Sequence, residues 1–579
     1  MATSKDPRPR GAARRIVIRV ALMALVVFAG GYALSRPAKV EGEEPKDGFL
    51  RVSGIIHVHT THSDGGGTPA EVVAAAKKTG ARFLILTDHN NLDAKAFEGY
   101  RDGVLVIVGS ELSTTAGHIV GIGMEAPTYR FSGDGRDGLE DIRDLGGAAF
   151  AAHPFSARDD LRFTGWDLPG PWGLELINGD SEWRSAGLRV VSAAFLYGLN
   201  RRRALLGLLN SPDEALSRWD RLLAERDVSG IAGADAHSRL PVSKRFAPRF
   251  PSYESMFALL RNYVLLKEPL SGVFAADRDR VLEAIRRGRL YVGIDAIAPA
   301  DRFSFTASSD TARATMGETL TPSGNLRIEA GGALPRGAVI SLLRNGVLVG
   351  SWPGPLEAAA PGAGVYRVEV RVPGWRLPWI ISNPIYVFDE ATSSAREARA
   401  AWPEPKEAPP AIQVLDDFNA ATKFQAASDP TSTVEQALDP KAGVQGGQAL
   451  RLGYRIGQGT ESNPNVFAAT VDWTHRDLTG KKGLVLSVKG DGVYRITVQV
   501  RDENKASTDE GTEWWFGSMR TTTEWRRLAL PFERLRSINP RTDGKLDLDK
   551  VRAIVFLIDR GAATPGARGR VWIDDVGVY

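Results

Sequence analysis

Between Leu50 and Gly293 short apolar runs alternate with stretches whose apolar residues recur at helical spacing. SGIIHVH, ARFLILTDH, GVLVIVGSE, GAAFAAHP, GLELIN and VSGIAGADAH read as buried strands, each a β-branched or aliphatic run bounded by glycine or polar residues. TPAEVVAAAKKTG carries a full set of helix signals: Thr68 as N-cap, Pro69 in the first turn, Glu71 for a capping box and Gly80 to close the end. The alternation predicts an α/β domain over residues 50–295, built on a largely parallel sheet or barrel. After Ala296 the helical period disappears. RFSFTASS, NLRIEAGG, AVISLLRNGVLVGSW, GVYRVEVRV and WIISNPIYVF predict a β-sandwich over 296–390. The polar, Ala-, Glu- and Pro-rich stretch 391–411 reads as a linker, and GLVLSVKG, YRITVQVRD, EWRRLALPF, VRAIVFLID and RVWIDDVGVY predict a second all-β unit over 412–579.

The first 49 residues stand apart from this pattern. Arginines up to Arg19 precede an apolar run from Val20 to Leu34 and the small-residue sequence Ala33-Leu34-Ser35. That order predicts a cleavable signal peptide or, counted from Ile16, a membrane anchor, with the rest of the chain periplasmic or otherwise outside the inner membrane. The formal net charge of the 579 residues is only +4, so no stable nucleic-acid partner is predicted. Cysteine is absent. Disulfides, thiolate metal sites and cysteine nucleophiles are therefore excluded, and any metal must be held by nitrogen and oxygen.

Histidine is where candidate chemistry concentrates. Seven of the eight histidines fall between His57 and His237, and nearly every predicted strand of the first domain finishes on a potential ligand: His57 and His59, Asp88-His89, Glu111, His153, Asp235 and His237. His118 opens the run HIVGIG. In a parallel α/β barrel the carboxyl ends of the strands gather at one face, and i, i+2 pairs such as His57/His59 and Asp235/His237 aim two side chains to one side. Grouping so many imidazoles and carboxylates is unfavourable unless a cation neutralises the acids and takes the nitrogen lone pairs.

HVHTTHSDGGGTPAEVV, LTDHN, GSELST, HIVGIG, AHP and ADAH, in that order, resemble the motifs of the polymerase and histidinol phosphatase (PHP) family. Within it they look like the branch that dephosphorylates nucleoside 3',5'-bisphosphates and trims RNA 5' ends. The resemblance implies a distorted seven-stranded barrel and two or three divalent ions, Mn, Fe or Zn. One would be held by His57, His59, Glu111 and Asp235, a second by Glu111, His118 and His153, and a third by Asp64, His89 and His237. It implies a phosphate-ester substrate attacked by metal-activated water. His62 falls outside the pattern as a surface or substrate-side residue, and Asp88 reads as a partner orienting an imidazole. Arg158, Lys244 and Arg245 are the candidate phosphoryl contacts.

The unit 296–390 resembles an immunoglobulin-like sandwich. The last unit resembles galactose-binding-like jelly rolls, in particular β-glucan-binding modules. That likeness nominates Asp416, Asp417, Asp574 and Asp575 for a structural Ca²⁺, and Trp473, Trp514, Trp515 and Trp525 for stacking on an envelope polysaccharide or β-glucan. Two alternatives stay open: a sugar-phosphate or envelope-ester hydrolase, and a carbohydrate-binding envelope protein that keeps the first domain only as a scaffold.

Overall fold

The computed structural model describes residues 18–19, 22–23, 37–184, 189–240, 247–403, 407–460, 464–507, 511–537, 539 and 541–579. The predicted N-terminal segment thus lies almost wholly outside the described residues. Among those described, no helix is long and apolar enough to cross a membrane. The chain divides into two compact units, the first ending at Trp402 and the second formed by residues 126–132 and 403–579.

In the first unit, strands Leu50–Ile55 (β1), Phe83–Leu86 (β2) and Val104–Val108 (β3) pair in parallel. Ser110–Thr114 (β4), Gly117–Ile122 (β5), Ala148–Ala151 (β6), Gly173–Asn178 (β7) and Gly230–Gly233 (β8) make a second sheet in the order β8-β7-β6-β5-β4. Only β6/β7 and β7/β8 are parallel there. The largely parallel sheet or barrel expected from sequence thus carries two antiparallel pairings, β4/β5 and β5/β6. The reason is local: two residues, Thr115 and Ala116, separate β4 from β5, enough for a hairpin and far too few for a crossover. Parallel bridges at Val58–Ala236 and His89–Glu111 join the two sheets, so the hydrogen-bond path from β1 through β2, β4, β5, β6, β7 and β8 returns to β1. Ile56, Ile85, Ile107, Val120, Phe150 and Ile231, on or beside these strands, belong to one buried cluster.

Helix Pro69–Lys78 begins as its sequence dictates. Thr68 Oγ1 accepts from the Glu71 N–H at 3.3 Å, and the Glu71 carboxylate accepts from the Thr68 N–H at 2.9 Å.

The β-rich stretch after residue 296 shares a sheet with the ring. Arg261–Leu266 (β9) pairs antiparallel with β1, and Leu290–Gly293 (β10) pairs with β9 on one side and with Pro378–Ser382 on the other. Asn383 then imitates a strand residue. Its side-chain oxygen accepts from the Gly230 N–H at 2.8 Å, and its NH₂ donates to the Gly230 carbonyl at 2.7 Å. The stretch 391–411 opens with a helix, Glu390–Ala400, whose buried Arg396 reaches Asp227 and the Leu223 carbonyl. The sequence hid this because its composition is a linker's and only one helical residue is buried.

The second unit is a sandwich of two six-stranded antiparallel sheets. Leu450, Leu486 and Ile573 from one sheet and Val498, Ile554 and Phe556 from the other share its core. The short segment 126–132 belongs to this unit, with the Arg130 N–H donating to the Ala562 carbonyl at 3.0 Å.

Arg367, on strand Gly364–Arg371, grips Asp220 of helix Asp213–Glu225 with two bonds of 2.7 Å and Glu369 with a third of 2.8 Å, all nearly out of solvent. Removing one partner of a buried pair leaves uncompensated charge. Arg367→Ala should lower the unfolding free energy by about 3–5 kcal/mol, read as a reduced denaturant midpoint.

Candidate metal centre

Glu111 and His118 sit on strands β4 and β5, but the two i, i+2 pairs do not lie on strands as alternation predicts. β1 ends at Ile55 and β8 at Gly233, so His57/His59 and Asp235/His237 lie just beyond the strand ends. His57, His153 and Asp235 adopt φ of +69°, +27° and +49°, a left-handed region that non-glycine residues seldom occupy. The turn of the backbone, rather than pleat alternation, aims these side chains inward. His118 arrives by another route. On the β4/β5 hairpin Glu111 lies opposite Val120, which makes His118 its diagonal neighbour on the same face.

The Glu111 carboxylate, 1% exposed, is the hub. Its Oε2 lies 3.1 Å from His57 Nε2, 3.1 Å from His59 Nε2 and 3.3 Å from His89 Nδ1, while Oε1 meets His118 Nδ1 and His153 Nε2 at 2.8 Å each. Asp235 Oδ1 stands 3.4 and 3.3 Å from the same His57 and His59 nitrogens. Half-exposed Asp64 faces His237 Nε2 at 3.3 Å and His89 Nε2 at 3.7 Å. The ligand atoms of His57, His59, Glu111 and Asp235 lie within 4.8 Å of one another, as do those of His59, Asp64, His89 and His237, and those of His89, Glu111 and His118. All nine expected ligands thus converge on one place. His153 approaches through the Oε1 side of Glu111.

Burial disfavours charge on His57, Glu111, His237 and His89, and at the first three the mutual field prevails. Asp235, Glu175 and Glu111 hold the His57 imidazolium well above its usual pKa against that burial. Conversely His57, His118 and His153 hold Glu111 well below the carboxylate range. His237 is raised to about 10, its bond to Asp64 and the field of Asp235 outweighing burial. His89, where burial dominates, falls to about 4. Several donor atoms remain without hydrogen bonds: His57 Nε2, His59 Nε2, His89 Nδ1 and Asp235 Oδ1. Buried lone pairs left unpaired and pointed at one another are what divalent ions with nitrogen and oxygen preferences require, so the donor set fits such ions.

Sequence reasoning missed Glu175. It sits on β7, 1% exposed, with Oε1 2.6 Å from His57 Nδ1, while Oε2 accepts from the His153 N–H at 2.7 Å and from Asn178 at 2.8 Å. A Cβ at Gly233 would overlap this carboxylate, so the neighbouring strand must carry glycine there. The signal was present: one acid in the otherwise apolar run GLELIN. Asp88 also differs from expectation. Its carboxylate binds the Thr60 N–H and hydroxyl, each at 2.7 Å, and the Ser63 hydroxyl at 2.6 Å, and so ties the ligand loop rather than an imidazole. The Tyr253 hydroxyl fastens the same loop, lying 2.8 Å from the His59 carbonyl and 3.0 Å from that of His237. His62 is exposed and outside the cluster.

A cavity of about 390 Å³ opens over the cluster, with Arg158, Asp180 and Arg239 on its wall. Lys244 and Arg245 lie outside the described residues. Arg239, a cation not singled out from sequence, stands on the loop that follows His237.

In the second unit, Trp515 is a core residue, 8% exposed, and donates to Asp502, which removes it from the stacking candidates. Trp525 donates to the Ala442 carbonyl. Trp473 is 48% exposed, and Arg501 lies over the rings of Trp473 and Trp514 at 5.3 and 4.0 Å. Asp416, Asp417 and Asp574 accept backbone N–H groups of Phe418, Asn419 and Val444. Among the described residues, no group of three ligands placed to hold a metal includes them or Asp575.

No family model matches the chain. Among solved structures it is similar to a family 11 carbohydrate-binding module from Clostridium thermocellum in complex with a β-1,3-1,4-mixed-linked tetrasaccharide, at 19% identity over 29% of this chain and 94% of that one (TM-score 0.24). A family 30 module from a Clostridium thermocellum cellulase matches at 17% identity over 30% and 98% (TM-score 0.23). A two-domain protein from Bacteroides vulgatus, containing a predicted PHP-like metal-dependent phosphoesterase, matches at 15% identity over 61% and 98% (TM-score 0.31). Among curated proteins, an uncharacterized protein of Methanocaldococcus jannaschii is 31% identical over 116 residues, which span 17% of this chain and 67% of that protein. At that identity and coverage, the chain belongs to the same protein family as the Methanocaldococcus jannaschii protein.

Proposed function

We propose that the chain is an exported, metal-dependent phosphoesterase of the PHP type. Its ring of strands is read as a distorted seven-stranded barrel, followed by an immunoglobulin-like sandwich and a glucan-binding jelly roll. The observation that carries the reading is the convergence of the unbonded His57 Nε2, His59 Nε2 and Asp235 Oδ1 beside the Glu111 carboxylate. The motif resemblance supports the finer assignment, hydrolysis of a nucleoside 3',5'-bisphosphate or of RNA 5' ends.

Glu111, Asp235 and Asp64 supply the negative charge of the site, and the imidazoles supply neutral nitrogen donors. Glu175 accepts the Nδ1 proton of His57, which fixes the tautomer that turns Nε2 inward, and through the His153 N–H it also sets the turn that carries His153. Divalent ions bound there would polarise a phosphoryl oxygen and activate water near neutral pH. Arg158 and Arg239, on the cavity wall, place two cations where phosphoryl oxygens would lie. Buried walls beneath the cluster keep bulk water from the donor atoms. The exposed Trp473 gives the distal unit an aromatic face on which a sugar ring can stack.

Elemental analysis of the purified chain should find two or three divalent ions, and a chelator should abolish hydrolysis of phosphate esters; an active, metal-free protein would refute the proposal. Glu175→Gln should weaken metal binding about 10- to 100-fold in a competition titration, whereas His62→Ala should leave it unchanged. Trp473→Ala should reduce retention on mixed-linked β-glucan without altering turnover of a small phosphate ester, both measured on the same preparation.

A further inference from the structure

A second cavity, of about 250 Å³, lies beside the one over the cluster. His153 borders both, and two segments of chain pass from one to the other. Ala157 and Ser181 line the second cavity, while their neighbours Arg158 and Asp180 line the first. Both segments are fastened. The Arg158 N–H donates to Ser156 Oγ at 3.3 Å, and Asn178 Oδ1 accepts from the N–H groups of Asp180 and Ser181 at 3.1 and 2.9 Å. The Asn178 NH₂ in turn donates to Glu175 at 2.8 Å, which ties this rim to the group that holds His57. A phosphate ester held by its phosphoryl group in the first cavity can therefore reach into the second with the rest of the molecule.

The lining says what that remainder is. Among the described residues that border the second cavity there is no lysine or arginine, and the titratable groups are His153, Glu175 and Glu214. Arg189 reaches the lining at Asn210, whose oxygen it meets at 2.9 Å, without bordering the cavity itself. His153 is engaged with Glu111, and Glu175 with His57, the His153 N–H and Asn178. Glu214, exposed in the first turn of helix Asp213–Glu225, is left over. A carboxylate in a lining without lysine or arginine repels a second phosphate and accepts from N–H donors. Phe155 adds an aromatic wall, its ring held by Trp166 at 5.5 Å between centroids and 28° between planes, and buried Pro212 and Ala215 add apolar surface. A held aromatic ring suits a flat partner, and two carboxylate oxygens match two adjacent N–H groups. Guanine is the nucleobase that offers such a pair, at N1 and N2. We propose that this cavity is the base subsite of the phosphoesterase and that it takes guanine, with Phe155 against the ring and Glu214 accepting from N1–H and N2–H. The substrate class rests on the phosphoesterase reading; the recognition itself does not.

Guanosine and inosine differ only by the N2 amino group and carry no phosphate, so their binding to the purified full chain reads the subsite apart from any hydrolysis. By equilibrium dialysis guanosine should bind about fivefold more tightly than inosine. Glu214→Gln, which replaces one of two acceptor oxygens at an exposed position, should bring the two affinities together. Phe155→Leu should weaken both nucleosides alike, by about fivefold. With phosphate attached, guanosine monophosphate should exceed inosine monophosphate in kcat/KM by the same factor, and Glu214→Gln should remove that preference too. The proposal is overturned if the parent chain does not distinguish guanosine from inosine, or if the preference survives in Glu214→Gln. Faster turnover of glucosamine 6-phosphate than of guanosine monophosphate would also overturn it, by making the cavity a sugar subsite. A guanosine preference in a chain that hydrolyses no phosphate ester would instead refute the phosphoesterase reading and leave guanine recognition standing. Thermal unfolding matching that of the parent shows that each variant is folded.

Discussion

Everything in the first unit converges on one buried carboxylate. Glu111 is out of solvent yet remains ionised, because five imidazole nitrogens surround its two oxygens within 3.3 Å. An isolated buried carboxylate would take up a proton; this one is held charged by its neighbours. These neighbours come from four parts of the ring, His57 and His59 sharing one, so the site is complete only when β1, β2, the β4/β5 hairpin and β6 are all in register. The His89–Glu111 bridge, which is one seam of the ring, joins two of the converging residues.

That convergence demands unusual backbone. His57, His153 and Asp235 turn through left-handed φ at the strand ends, and such conformations persist only where the surroundings over-determine them. Glu175 is part of that constraint, since it holds the His57 ring and the His153 amide with one carboxylate. Asp88 and Tyr253 hold the intervening loop by its backbone and hydroxyls. The supporting groups are buried acids and a phenol rather than apolar residues because their partners are N–H, O–H and carbonyl groups that cannot be left unpaired.

The β-rich stretch after residue 296 extends this framework instead of hanging from it. Strand β10 hydrogen-bonds on one edge to β9, itself paired with β1 of the ring, and on the other to Pro378–Ser382, and Asn383 pairs with β8 as a strand would. Arg367 adds a charged clasp to helix Asp213–Glu225. The boundary near residue 296 marks a change in secondary-structure pattern, and the hydrogen-bonded sheet runs through it.

The sequence by itself indicated most of the strands, the capped helix at Pro69 and the nitrogen and oxygen character of the site, because periodicity, capping and ligand chemistry are local properties, and the motif resemblance nominated the nine residues that converge. Pairing and approach geometry are not local. The β4/β5 hairpin made the sheet mixed, left-handed turns replaced pleat alternation as the means of aiming His57 and Asp235, and a composition typical of linkers concealed the helix at Glu390. Glu175 was visible only as one acid in an apolar run. Its role depends on a contact 118 residues away in the chain, with His57. Arg239 became a wall residue for the same reason. Residue type and spacing decide what a side chain can do, but only the folded chain decides which other side chain it meets, since that depends on the path of every strand in between.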